Sequence, residues 1–492
     1  MTRICVTLTE ETTASLIDRM VDLAGVADLF EVRGDLVLDL DLLTVLRAKT
    51  RPLLFSCRPV SEGGRFADDD PNRRLLLLEA VKRGYDYVDV EYRSGFLDVM
   101  VEKSGRGLVV SHHDFEGTPE DLDGLYEGMR ALGPDVVKIA VTPRSFADVG
   151  RLLDLAARAA RRGGAPLLPI ALGPLGMPAR ILAGRYGAPF TYASGRAGAE
   201  AAPGQLPAKL MADLYRVREI NPATQVYGIL GTRVSRSLSP EIHNRAFKAR
   251  GMDAVFVPLQ AEALEPFIAA LPSLELAGFS VTQPYKVAIV PYLQVVDEAA
   301  TAAGSVNTVL VKDGLLHGST TDGLGVVSAL VKNKVPLKDR RVLILGAGGA
   351  ARSAALALHQ EGAQVAILAR DPTRAAAVAA ALGCGSDALA SLPRRSWDVL
   401  INATPVGSRS APGQSLVPAA LHRPGTVVFD MVYDPLDTPL LREAQAAGCV
   451  AIDGLQMLLA QAAAQFETWT GAEAPADVMR SVALYLAQER AS

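Results

Sequence analysis

Apolar, β-rich runs alternate with stretches of helical period from the first residues onward. The runs fall at 3–8, 27–33, 52–58, 85–91, 107–112, 135–141, 166–171 and 188–193. Seven of the eight lead into segments of helical period, such as 72–83 and 145–162. The eighth leads, past the loop 194–204, into a predicted helix over 206–218. Eight strands alternating with helices predict a (β/α)8 TIM barrel, although an open doubly wound sheet satisfies the same alternation. The polar residues favour the barrel. Buried parallel strands read as nearly continuous Val, Ile and Leu, yet Glu31, Arg33, Arg58, Glu91, His113 and Lys138 stand toward the C-terminal ends of successive runs. That end of a barrel is where catalytic groups converge.

A second α/β series follows. After Arg218 the polar turn EINPATQV predicts a linker, and a new strand opens at 226–231. Farther on, a strand at 342–345 meets Gly346, Ala347, Gly348, Gly349, Ala350 and Ala351 and continues as an Ala-rich helix. This is GxGxxA in the strand–turn–helix setting that places a dinucleotide phosphate at a helix N-terminus. The next strand, 364–369, ends in Arg370 where an NAD enzyme places an acid. Arg370 and Arg374 point to a 2′-phosphate and so to NADP(H), while Asp371 opposes it by charge. The expected organisation is a barrel over 1–219, a second α/β lobe over 225–330 completed by helices at about 455–492, and a Rossmann lobe over 331–454.

Composition narrows the class. A chain of 492 residues and 52.0 kDa holds two to four domains, and 49% hydrophobic against 21% charged residues shows no bias toward disorder. The net charge is −4 with both signs scattered, and no basic stretch follows a phosphate backbone, so nucleic acid is not an expected partner. The longest uncharged stretch, 163–179, carries eight Gly or Pro residues and predicts no membrane span. Residues 1–10 read as a strand rather than a signal or transit sequence. Cys5, Cys57, Cys384 and Cys449 lack CxxC or disulfide spacing, and the six histidines include no HxxxH. No metal site is expected, and the protein is expected in the cytoplasm.

Lys138 sits in DVVKIAV, where burial and neighbouring arginines push a lysine toward its neutral, nucleophilic form. Such an amine forms an imine with a ketone, and the imine acidifies the adjacent C–H. His113 could carry that proton to a leaving hydroxyl, with Glu91 orienting the imidazole. Arg33, Arg58 and Arg180 offer forked donors to a carboxylate or hydroxyls. The chemistry is imine-assisted elimination or aldol cleavage.

FEVRGD, SCRPVSEGGRF, VDVEY, VVSHHDFEGTP, VVKIAVTP, MPAR and APGQ, in this order, resemble type I 3-dehydroquinate dehydratase. The resemblance implies Lys138 as the Schiff-base lysine, His113 as general acid/base and Glu91 as its partner. It also implies substrate contacts from Glu31, Arg33, Arg58, Arg180 and Gln205. Ala201 stands where that family usually has Ser or Thr, so one hydroxyl contact from the loop is expected to be missing.

In the second half, YGILGTRVSRSLSPEIHNRAF, FSVTQPYK, AGSVNTV, GSTTDGLG, INATPVG, FDMVYDP and GLQMLLAQA resemble shikimate dehydrogenase. This implies Lys286 and Asp322 as the catalytic pair and Ser237, Ser239 and Tyr433 at the substrate carboxylate. Thr282, Asn307 and Gln461 would contact ring hydroxyls, and Asn402 and Thr404 of INATPVG would join the cofactor residues. Ser280 and Thr320 stand where the family often has Asn, and ARDPTR replaces its NRTxxR. The expected activities are consecutive: 3-dehydroquinate to 3-dehydroshikimate, then NADPH-dependent reduction to shikimate. The rivals are a class I aldolase fused to another dehydrogenase, and a silent ligand sensor built on the same folds.

Overall fold

Short apolar, β-rich runs, buried almost throughout, build the first eight strands: β1 (Arg3–Leu8), β2 (Leu29–Arg33), β3 (Leu53–Ser56), β4 (Tyr87–Glu91), β5 (Gly107–Asp114), β6 (Val136–Val141), β7 (Leu167–Ala171) and β8 (Phe190–Ser194). The computed structural model describes residues 2–102, 107–409 and 411–491. The eight strands run parallel in the order β7-β6-β5-β4-β3-β2-β1-β8. The last strand has come round to pair with the first, giving a nearly closed barrel instead of an open sheet.

Along each strand the inward face changes character. Cys5, Leu29, Leu54, Val109, Val136 and Leu168 join one buried apolar cluster. Two residues farther along the same faces stand Thr7, Glu31, Ser56, Ser111, Lys138 and Ile170. Five of those six are polar, so an apolar floor lies beneath a polar layer nearer the strand C-termini. The helix over 145–162 is found as Phe146–Arg162, with a capping box between Ser145 and Asp148. The helix expected over 206–218 is shorter, Ala208–Asp213, because Arg216 turns into the left-handed region at φ 50°.

A second sheet has the order β10-β9-β11-β13-β14-β12, from β9 (Gln225–Gly231), β10 (Ala254–Gln260), β11 (Leu276–Val281), β12 (Val295–Val296), β13 (Thr308–Lys312) and β14 (Leu315–Ser319). The third comprises β15 (Arg341–Leu345), β16 (Gln364–Ala369), β17 (Gly385–Ala388), β18 (Val399–Asn402), β19 (Val427–Asp430) and β20 (Val450–Ile452). It is wholly parallel in the order β17-β16-β15-β18-β19-β20. This is the doubly wound dinucleotide-binding order, with its reversal between β15 and β18. Among the described residues no helix is long and apolar enough to cross a membrane.

Chain contacts divide the protein into two compact units, and the division does not fall at EINPATQV. The first unit runs to Gly228 and also takes in Arg233–Ser235 and Asp253–Leu276; the rest forms the second. The reason lies in helix Leu264–Leu274, which packs on Phe146–Arg162 of the barrel. Phe146 and Phe267 meet edge to face at 5.3 Å, and a Cβ on Gly150 would stand 2.9 Å from the Ala270 Cβ. Gly150→Leu is therefore expected to destabilise the first unit by about 1–3 kcal/mol through overpacking. Urea unfolding followed in both proteins checks it.

Candidate active sites

The polar layer of the barrel is one connected network. Lys138, 4% exposed, donates from Nζ to Asp89 Oδ2 at 3.2 Å, and Nζ lies 4.2 Å from the centre of the Tyr192 ring. Arg58 Nη2 donates to the same Asp89 oxygen at 2.7 Å and to Glu31 Oε1 at 3.2 Å. Hydroxyls of Thr7 and Ser56 hold the Glu31 oxygens at 2.8 and 3.0 Å. Arg33 makes two parallel bonds to Asp35, at 2.8 and 2.7 Å. Gln205 donates to Thr7 Oγ1 at 3.3 Å, and its own oxygen takes the Ala201 N–H at 2.8 Å. Arg180 is 2% exposed and donates to the Pro203 carbonyl at 3.1 Å, its Nε unpartnered. Among the described residues no carboxylate pairs with Arg180, so its buried charge stands without a counter-ion.

Two expectations need correction. Glu31 and Lys138 stand in the middle of β2 and β6 rather than at their ends, which puts the reacting centre deep in the barrel. The partner of His113 is Glu62, not Glu91: His113 Nδ1 lies 2.9 Å from Glu62 Oε2 and 3.2 Å from Arg58 Nη1. Glu91 instead accepts from Arg73 Nη2 at 2.6 Å. Glu62 lies on the short turn Val60–Glu62, where no periodicity marks it. Asp89 was also missed, although VDVEY places it two residues before Glu91 on the same face.

Burial, then the Arg58 charge, lower the Lys138 pKa, while Asp89 and Glu31 oppose the shift. Burial and then Arg58 also hold His113 well below the usual histidine range, leaving it neutral. Burial and the charge of Glu91 push Glu62 up to about 8. Asp89 is held at about 2, since Arg58 and Lys138 outweigh its burial. The depressed histidine has a consequence for activity. The acid limb of kcat/KM for the barrel reaction is expected below the ordinary histidine value of about 6.5. A pH profile of the free enzyme with its acid inflection at or above that value would contradict it.

The second unit carries its own cluster. Lys286, on helix Tyr285–Ala288, donates to Asp322 Oδ2 at 2.5 Å. Asp322 begins helix Asp322–Lys332, and its Oδ1 accepts from Asn307 Nδ2 at 2.9 Å. That same nitrogen reaches Gln461 Oε1 at 3.2 Å and Thr321 Oγ1 at 3.0 Å; Thr321 had not been singled out. The Thr282 N–H bonds the Leu230 carbonyl at 2.9 Å and its carbonyl accepts the Tyr285 N–H at 2.9 Å, fixing the turn that presents Lys286. Ser237 Oγ accepts the Ser239 N–H at 3.2 Å, and a hydrogen bond joins Ser237 to Tyr433.

The Gly-rich turn leads straight to this lysine. Gly346 adopts φ 111°, which favours glycine, and a Cβ there would come within 3.0 Å of Thr404 Cγ2. A Cβ on Gly349 would lie 2.7 Å from the Lys286 Cβ, so only glycine lets the N-terminus of helix Gly349–Gln360 approach so closely. Ala347, Gly348 and Ala350 complete the turn, with open space beside Gly348. Arg370 and Arg374 are exposed and, among the described residues, unpaired by any carboxylate. Burial and the charge of Arg374 lower the pKa of Arg352, whose Nε is buried without a partner. These cations with no counter-charge, beside a helix N-terminus at the sheet's reversal point, fit a phosphorylated dinucleotide such as NADP(H). Asn402 departs from its expected role. Its amide donates to Asp430 at 2.9 Å and the Val406 carbonyl at 3.1 Å, while its oxygen accepts from the Thr404 N–H and hydroxyl at 3.0 and 2.7 Å. It shapes the loop and has no group left for a cofactor. Asp371 caps helix Pro372–Leu382 by accepting the Arg374 N–H at 3.1 Å.

Comparison with known proteins finds four family matches. The type I 3-dehydroquinase model covers residues 4–222, and the shikimate dehydrogenase substrate binding domain covers 229–309. Shikimate/quinate 5-dehydrogenase matches 329–430, and the shikimate 5′-dehydrogenase C-terminal domain matches 454–484. A chloroplastic bifunctional 3-dehydroquinate dehydratase/shikimate dehydrogenase of Arabidopsis thaliana is 36% identical over 480 residues, spanning 92% of this chain and 79% of that one. A shikimate dehydrogenase (NADP(+)) of Pyrococcus furiosus is 44% identical over 274 residues, 55% of this chain and 99% of its own. A crystal structure of shikimate 5-dehydrogenase from Thermus thermophilus, with NADP(H) and shikimate, covers 53% of this chain and 99% of that chain at 36% identity and a TM-score of 0.50.

Proposed function

This chain belongs to the bifunctional 3-dehydroquinate dehydratase/shikimate dehydrogenase family, and on that premise we propose how its residues divide two consecutive reactions. The barrel dehydrates 3-dehydroquinate to 3-dehydroshikimate, and the second unit reduces that ketone to shikimate with NADPH. The observation that carries this reading is that each compact unit holds a complete reactive cluster of its own, Lys138–His113–Glu62 in one and Lys286–Asp322 in the other. Neither an aldolase nor a silent sensor accounts for both.

In the barrel, neutral Lys138 attacks the ketone carbon, water leaves, and an imine forms. Asp89, 3.2 Å from Nζ, supplies the counter-charge for the cationic nitrogen. His113, held at Nδ1 by Glu62 and Arg58, takes the proton from the acidified carbon. The same proton goes to the departing hydroxyl, which leaves as water. A second water then hydrolyses the imine, releasing 3-dehydroshikimate and restoring Lys138. Arg180 receives the substrate carboxylate; Glu31, Arg33, Arg58 and Gln205 hold its hydroxyls.

In the second unit, bound NADPH supplies the hydride. Lys286 and Asp322 deliver the proton to the carbonyl oxygen, and Asn307, Gln461 and Thr282 orient the ring hydroxyls. Ser237 and Ser239, with Tyr433 against Ser237, take the carboxylate. Arg370 and Arg374 clamp the 2′-phosphate with charge-assisted bonds, each worth roughly 1.5–3 kcal/mol. Arg370→Ala should therefore erode the preference for NADPH over NADH. Asp371→Thr, which keeps a helix cap but removes the negative charge, should raise it. Comparing kcat/KM for both cofactors at fixed shikimate checks this; an unchanged ratio in Arg370→Ala would contradict the clamp. The four cysteines are free thiols, which suits the cytoplasm as the protein's compartment.

Two assays test the pair of activities. Purified protein with 3-dehydroquinate alone should generate the conjugated enone of 3-dehydroshikimate. With 3-dehydroshikimate and NADPH it should oxidise one NADPH per shikimate formed. Failure of either assay removes that half of the reading.

A further inference from the structure

The segment between β3 and helix Pro71–Arg83 carries the acid that meets His113, and one buried side chain grips its base. Arg73, 1% exposed, donates from Nε to the Cys57 carbonyl at 3.1 Å and from Nη1 to the Asp68 carbonyl at 3.0 Å. Those carbonyls stand on either side of the turn Val60–Glu62. The third arm, Nη2, reaches Glu91 Oε2 at 2.6 Å at the end of β4, and the guanidinium lies 5.2 Å from the centre of the Phe96 ring. Bonds within the segment, from Gly64 N–H to the Pro59 carbonyl and from Val60 N–H to the Phe66 carbonyl, both at 2.8 Å, fix its shape. Glu91 gives no oxygen to His113. Its Oε1 is buried without a hydrogen bond, 3.9 Å from Arg58 Nη1. A carboxyl this deeply buried is costly to maintain, and the partner it secures is Arg73.

We propose that Glu91 and Arg73 are positioning residues for the dehydration: together they close the base of residues 57–68 against β4, so that Glu62 stands at hydrogen-bond distance from His113. The proposal rests on the dehydratase reading above. Three directed donors in one plane are what guanidinium offers and an ammonium does not. When the grip is lost, Glu62 shifts, the imidazole loses the partner that orients it, and proton transfer slows. Lys138 and Asp89, on which imine formation depends, stand on strands outside the segment, and Arg58, the segment's residue that meets Asp89, is held by its own bonds to Asp89 and Glu31, so imine formation should persist.

The test uses the full-length chain with Glu91→Ala, Glu91→Gln or Arg73→Lys, each alone and combined with Glu62→Gln. Three quantities are read from each preparation: kcat and KM for dehydration, borohydride trapping on Lys138, and the rate of 3-dehydroshikimate reduction. Glu91→Ala and Arg73→Lys should lower the dehydration kcat about 10- to 10²-fold, the scale of a small misplacement of a reacting group. KM should move by no more than a few-fold, while trapping and reduction stay at wild-type levels. Glu91→Gln still accepts from Arg73 and should recover most of the loss. In the Glu62→Gln background the same substitutions should cost less than about 2-fold, because effects that act through one residue do not add. Full additivity with Glu62→Gln, a loss of trapping in parallel with kcat, or an unchanged kcat would each overturn the positioning role. Should Glu91→Ala fail to fold, Arg73→Lys decides by the same coupling. A wild-type chain that dehydrates while the variants behave additively sinks the positioning role alone; one that does not dehydrate sinks the functional reading and this proposal with it.

Discussion

Replacing Lys138 with Ala is expected to abolish dehydration, a loss of at least about 10⁴-fold, while reduction of 3-dehydroshikimate continues at the wild-type rate. The size follows from the mechanism: no other buried amine lies in the polar layer of the barrel among the described residues, so the imine has no second route. The selectivity follows from the division of the chain, since Lys138 and the Lys286–Asp322 pair lie in different compact units. His113→Ala should differ in kind. It should still form the imine and stall at proton transfer, losing about 10²–10⁴ in rate. A Lys138→Ala protein that retained dehydration, or one in which reduction collapsed as well, would contradict this account.

The reciprocal result is expected in the second unit. Asp322→Asn keeps the shape of the side chain and an acceptor for Asn307 but removes the charge facing Lys286 Nζ. Reduction should fall about 10²–10⁴-fold with dehydration untouched. Lys286→Ala should fall as far and should not be rescued by excess NADPH, because the lost step is protonation rather than cofactor binding. Separate assays of the two reactions on each variant are sufficient.

Much of this was legible in the chain, and the exceptions have physical reasons. The polar residues that break the apolar runs marked Glu31, Glu91, His113 and Lys138 as one site, and the GxGxxA turn sat where the parallel sheet reverses. Asp89 carried the same signal, two residues before Glu91 on the same face, but the resemblance implied Glu91 as the acid of VDVEY. Glu62 carried no such pattern: within SCRPVSEGGRF it lies on a short turn without periodicity, and only the fold brings it 2.9 Å from His113. Asn402 shows the opposite limit. Its motif marked the right loop, but the side chain is consumed in shaping that loop. The helix expected over 206–218 ended early because a backbone turn at Arg216, invisible to periodicity, stops it.

The most direct measurement is reductive trapping. The intact chain is treated with borohydride with and without 3-dehydroquinate, digested, and the adduct located by mass spectrometry. The predicted result is a single substrate-derived mass on the peptide bearing Lys138, formed only when substrate is present. An adduct on any other lysine, or none during active turnover, would contradict the imine mechanism.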